Sequence, residues 1–243
     1  VLEVGLTGNQ RRVLDELLDE AAAFADAGQR DKARRSLDAA TKIAPSDPDV
    51  VFERLRWRVL DGDTDGARRA LEELVADAPD HGDARHLLGE LQMQAGERAA
   101  AIAQWSEVLR LDQARSARSA AGAEDDVAWI EQRAQEVLDG LPEPFASRLQ
   151  DIPVVLEARP HAAVVADGFD PRALGLFEGP LGGREESEHL ALATSRIVLF
   201  WANLLESTRD DDELAAEIET TLLHEIGHVF GLDEDEVDAL GLG

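Results

Sequence analysis

Residues 224–234 read His-Glu-Ile-Gly-His-Val-Phe-Gly-Leu-Asp-Glu, and the period of the residues before them decides how the run folds. Leu214, Ile218, Leu222, Ile226 and Val229 recur at spacings of three and four, which predicts a helix with one buried stripe. Asp210, Asp211, Asp212 and Glu213 precede it, where the positive end of a helix favours carboxylates. Residues four apart share a helix face, so His224 and His228 can turn two imidazoles toward one point. That spacing suits a single Zn²⁺ ion. Glu225 then stands where a carboxylate serves as general base to water on the ion.

Zinc needs a third protein ligand, and catalysis needs the fourth position open. Gly231 lies three residues beyond His228, where glycine takes φ > 0 and ends a helix, and Asp233, Glu234, Asp235 and Glu236 follow. Glu234 occupies the place at which H-E-x-x-H-x-x-G-x-x-H sequences carry their third histidine. It is the expected third ligand, with Asp233 the alternative.

The chain of 243 residues is 44% hydrophobic, enough for two domains with cores. It contains no cysteine, which excludes disulfides and thiolate metal sites and fits a reducing compartment. No apolar run approaches the roughly 18 residues of a membrane span, and no export signal is recognisable, so a cytoplasmic location is expected. Net charge is −27 and uneven: residues 1–122 hold 17 basic and 23 acidic residues, residues 123–243 hold 7 and 28. The second half should repel nucleic acid and anionic membrane.

The N-terminal half repeats itself every 34 residues. Gly28, Gly62 and Gly96 form one column, Ala33, Ala67 and Ala101 a second, and Leu37, Leu71 and Trp105 a third; Pro45 recurs as Pro79 and Asp49 as Asp83. Each glycine falls between two amphipathic stretches, so each unit is an α-hairpin. A lone hairpin cannot bury its apolar face, so the units must stack. The pattern resembles the tetratricopeptide repeat, with units at 14–47, 48–81 and 82–115 and a cap or extension at 1–13. The third unit carries Gln113 where that pattern has proline. The resemblance implies a groove for a peptide or protein client, lined by Phe52 and Arg56 from the second unit and His86, Glu90 and Met93 from the third.

Residues 116–126 read as a linker, followed by a helix near 127–139 that stops at Gly140. Short strands are expected at 152–156, 173–177 and 192–200, with a Gly-rich acidic loop at 178–189. From about residue 127 to the end the chain resembles the minimal bacterial zincin-like metallopeptidases. The resemblance rests on Ile-Pro-Val-Val-Leu-Glu (152–157), Leu-Gly-Leu-Phe-Glu-Gly (174–179), the strand at Ile197-Val-Leu-Phe and the His224 block itself. It implies a two-domain protein: an all-α repeat solenoid followed by a small α+β domain at 127–243 that hydrolyses peptides with zinc. A non-catalytic interaction scaffold is the alternative. The resemblance also implies that the 192–200 strand borders the cleft and pairs with substrate. The sole methionine is Met93 and there is no tyrosine, so no methionine turn and no phenol can serve the site. Help to an oxyanion would fall to His189, Arg196 or His161.

Overall fold

A computed structural model describes residues 6–117, 123–143, 145–149, 152–179, 195–233 and 236. The chain divides into two compact units, 1–111 and 112–243. The first is built from helices α1 (Gly8–Asp26), α2 (Arg30–Ile43), α3 (Pro48–Leu60), α4 (Thr64–Asp77), α5 (Gly82–Gln94) and α6 (Arg98–Ser116), the last of which extends past residue 111.

The glycine column makes the three hairpin turns. Gly28, Gly62 and Gly96 have φ of 69°, 90° and 77°. In each turn two amides reach back to helix carbonyls: Gly28 to Ala25 and Gln29 to Phe24, Gly62 to Val59 and Asp63 to Arg58, Gly96 to Met93 and Glu97 to Gln92. This doubly bonded C-terminal cap requires the left-handed conformation that costs glycine least. The alanine column is fully buried, and Leu37, Leu71 and Trp105 are buried beside it. Ion pairs repeat as well: Arg34 meets Asp61 at 2.6 Å, and Arg68, one period on, meets Glu97 at 3.0 Å. These pairs are at least partly exposed and contribute little stability.

Gly89 explains how the third unit takes a tryptophan where the others carry leucine. A Cβ at Gly89 would lie 2.4 Å from the Trp105 indole nitrogen and 2.5 Å from Cδ1. The indole uses that space, with Nε1 3.4 Å from the carbonyl of His86.

The second unit contains α7 (Ala123–Asp139), α8 (Phe145–Leu149), β1 (Val154–Glu157), α9 (Ala162–Ala166), β2 (Gly175–Glu178), β3 (Arg196–Phe200), α10 (Trp201–Ser207) and α11 (Asp211–Val229). The described sheet has the order β1-β3-β2, parallel between β1 and β3 and antiparallel between β2 and β3. The unbroken apolar run of β3 fits its place: Ile197, Val198, Leu199 and Phe200 are all buried, so both faces are covered. Ile197 and Leu199 join Ile130 and Ala134 of α7 and Leu214, Ile218, Leu222 and Ile226 of α11 in one core.

This order corrects one expectation. The strand expected to lend its edge to substrate is the central strand, hydrogen-bonded on both sides. Among the described residues β2 is the outer strand next to α11. Among the described residues no helix is long and apolar enough to cross a membrane.

A buried polar cluster holds the loop entering β2. Asp112 receives Arg172 Nε at 2.9 Å and Arg115 at 2.5 Å. Arg159 donates to Asn203 at 2.5 Å, to Ser116 at 2.9 Å and to Glu206. Asn203 in turn donates to the carbonyls of Pro171 and Ala173 at 3.0 and 2.7 Å. Removing one member would strand buried charge, so the cluster fixes residues 171–173 more firmly than loop sequence suggests.

The Gly89–Trp105 contact yields a rescue test. Gly89→Ala should destabilise the chain by about 1–3 kcal/mol through overpacking. Adding Trp105→Leu should recover part of that loss, read as urea-unfolding midpoints of the single and double variants.

Candidate metal centre

Helix α11 carries the site, and its ends are set by identifiable bonds. Asp210 caps the start, accepting from the amides of Asp212 at 3.1 Å and Glu213 at 2.9 Å. Gly231, with φ 82°, closes the other end: its amide bonds the carbonyl of His228 at 2.9 Å, and the amide of Leu232 bonds that of Gly227 at 3.1 Å. This is the same doubly bonded cap that turns each repeat hairpin. It folds the Leu232 carbonyl back over His228.

That return fixes a proton. His228 Nδ1 lies 3.0 Å from the Leu232 carbonyl oxygen, which can only accept, so Nδ1 carries the hydrogen and Nε2 presents its lone pair. His228 Nε2 and His224 Nε2 are 3.1 Å apart, their rings edge to face at 80°. Two nitrogens held about 2.0–2.1 Å from a tetrahedral ion would stand about 3.3 Å apart. The donor atoms and their separation therefore fit a metal held by His224 and His228.

Both histidines line a cleft of about 500 Å³ between α11 and β2, with Glu217, Thr221 and Glu225 on the helix side and Ala173 to Phe177 opposite. Glu225 is 6% exposed. A Cβ at Gly175 would lie 2.8 Å from Glu225 Oε1, 2.8 Å from Thr221 Cγ2 and 2.9 Å from Glu225 Cγ. Strand β2 can thus lie against the helix only because residue 175 has no side chain. Sequence reasoning did not single out Gly175 or Thr221. An isolated glycine in an apolar strand is the signal that would have found the first.

Glu234 and His189 lie outside the described residues. Asp233 is placed: its Oδ1 accepts from the Glu236 amide at 3.0 Å, and Glu236 Oε2 accepts from the Asp233 amide at 3.0 Å. The pair has the reciprocal side-chain-to-amide pattern of a capping box. Asp233 Oδ1 is thereby engaged with the amide three residues on. Neither Arg196 nor His161 lines the cleft. Arg196 bonds Glu178 at 2.6 Å and Glu157 at 3.0 Å, and the Glu178 hydrogen bond raises its pKa above the usual arginine value. His161 caps α9, accepting from the Ala163 amide at 3.2 Å.

The groove residues expected in the repeats lie on α3 and α5. Phe52 is half-buried against the Leu55–Leu71–Leu88 core and packs its ring 5.1 Å from that of His81. Arg56 bonds Glu53 at 2.9 Å, and His86 stacks on Trp105 at 6.4 Å.

Residues 149–243 match a family described as zincin-like metallopeptidase, and residues 59–123 match the tetratricopeptide repeat. The chain joins tetratricopeptide repeats to a zincin-like metallopeptidase segment. No curated protein matches it. The zincin-like match takes in all three described strands and α11, so the family that implies a metal covers the helix bearing His224 and His228.

Metal content gives the direct check. Purified protein dialysed against Zn²⁺ should hold one equivalent by elemental analysis. His224→Ala and His228→Ala should lose it, and Glu225→Gln should keep it.

Proposed function

We propose that the chain is a zinc-dependent peptidase that acts on a protein client held by its repeats. The observation that carries this reading is the buried Glu225 carboxylate, which lines the same cleft as two imidazole nitrogens 3.1 Å apart. His224, His228 and Glu234 hold the ion in this reading. That Asp233 Oδ1 already accepts the Glu236 amide supports Glu234 over it.

Bound zinc supplies Lewis acidity and lowers the pKa of water. Glu225 takes a proton from the attacking water and returns it to the departing amine. The Leu232 carbonyl holds the His228 ring in the tautomer that leaves Nε2 without a hydrogen. Strand β2 offers the cleft an edge without a described partner, along which an extended peptide can bond its backbone. With no tyrosine in the chain and Arg196 bound to two glutamates, neither a phenol nor the Arg196 guanidinium is available to negative charge on the carbonyl oxygen.

The short cleft limits how much of a client it can grip. Repeats raise the client's effective concentration, a gain of about 10² to 10⁴ without new contacts at the cleft. Phe52, Arg56 and His86 are the proposed client contacts.

Glu225→Gln should keep its zinc and lose about 10² to 10⁴ of the hydrolysis rate on an unstructured peptide library read by mass spectrometry. Unchanged cleavage would remove Glu225 from the chemistry. Zinc bound by the parent and by Glu225→Gln, with no cleavage of any peptide by the parent, would point instead to a non-catalytic scaffold. Asp233→Asn should retain zinc, whereas Glu234→Gln should weaken it by more than about 100-fold.

A further inference from the structure

The larger cavity of the zincin-like unit is not the metal cleft. It measures about 800 Å³, lies between α7 and β1, and shares no lining residue with the cleft, which β2 borders on the opposite edge of the sheet. Its floor is apolar, made by Leu138, Leu149, Ile152 and Leu156, and its wall carries Glu131 and Asp139. Among the described residues no lysine, arginine or histidine lines it.

The strand along this cavity has an open side. Pro153 gives its carbonyl to the Ile197 amide at 3.0 Å, so in this parallel ladder alternate residues 153, 155 and 157 face β3. Val154 and Leu156 therefore turn their amides and carbonyls to the other side, where no described strand pairs with them. Each residue of β1 is only partly buried. Hydrogen-bonding backbone, apolar floor and acidic wall together specify a ligand.

We propose that this groove binds an extended segment of a partner protein whose alternate residues, those turned toward α7, are apolar in the middle and lysine or arginine at the ends. The segment adds to the sheet beside β1, its backbone bonding Val154 and Leu156, its apolar side chains on the floor and its cations against Glu131 and Asp139. A second copy of this chain fits poorly. Each copy carries −27, and pairing across β1 would bring two acidic walls together. The inference does not depend on catalysis at the metal cleft.

The test uses the full chain and a fluorescein-labelled peptide, Lys-Thr-Val-Thr-Val-Thr-Lys, whose valines and lysines share one strand face, read by fluorescence anisotropy. Binding should survive EDTA. It should weaken at least about tenfold in Glu131→Lys/Asp139→Lys, where attraction becomes like-charge repulsion. Asp19→Lys/Glu73→Lys, an equal charge change at exposed sites of the repeats, should alter it by less than about twofold. Methylating alternate peptide nitrogens should abolish it, since strand addition needs those donors. Four results would each overturn the proposal: no binding at about 1 mM protein, equal weakening by the two charge variants, retained binding of the methylated peptide, or loss of binding in EDTA. Unfolding midpoints of both variants matching the parent exclude misfolding as the cause of any loss.

Discussion

Everything at the candidate site depends on how closely strand β2 approaches helix α11. The helix must bury Leu214, Ile218, Leu222 and Ile226 in the core while it keeps His224, Glu225 and His228 along a cleft. Both demands are met because Gly175 presents no side chain to Glu225 and Thr221. The strand then covers Glu225, which raises the strength of its interactions by excluding water. On the far side β3 is buried on both faces and sets the height of the sheet. The Asp112, Arg159 and Asn203 cluster fixes the chain just before β2 enters.

A single backbone device recurs through the molecule. Gly28, Gly62, Gly96 and Gly231 each take φ > 0 and each make the same two amide-to-carbonyl bonds at a helix end. In the repeats the device turns one helix back on the next. After α11 it delivers the Leu232 carbonyl to His228 and chooses the histidine's tautomer. Local backbone chemistry thus serves architecture in one unit and ligand geometry in the other.

The repeats and the metal helix were legible in the sequence because both rest on short-range periodicity. Columns 34 residues apart gave the hairpins, spacings of three and four gave α11, and the acidic run at 210–213 and Gly231 marked its two ends. Strand order was not legible, since Ile197 to Phe200 reads as apolar whether it lies at an edge or in the middle. The Arg172–Asp112 and Arg159–Glu206 pairs join residues 60 and 47 positions apart, beyond any local pattern. Gly175 was visible as a residue, but its meaning lay in a contact with a helix some fifty positions later.

The central claim is that α11 and the chain just after it make a site with two imidazoles and a carboxylate. X-ray absorption at the zinc edge on the metal-loaded chain tests it most directly. The account predicts two histidine nitrogens and oxygen ligands, all at about 2.0–2.2 Å, in a shell that keeps one exchangeable position. A shell of oxygens alone, or one unchanged in His224→Ala/His228→Ala, would contradict it.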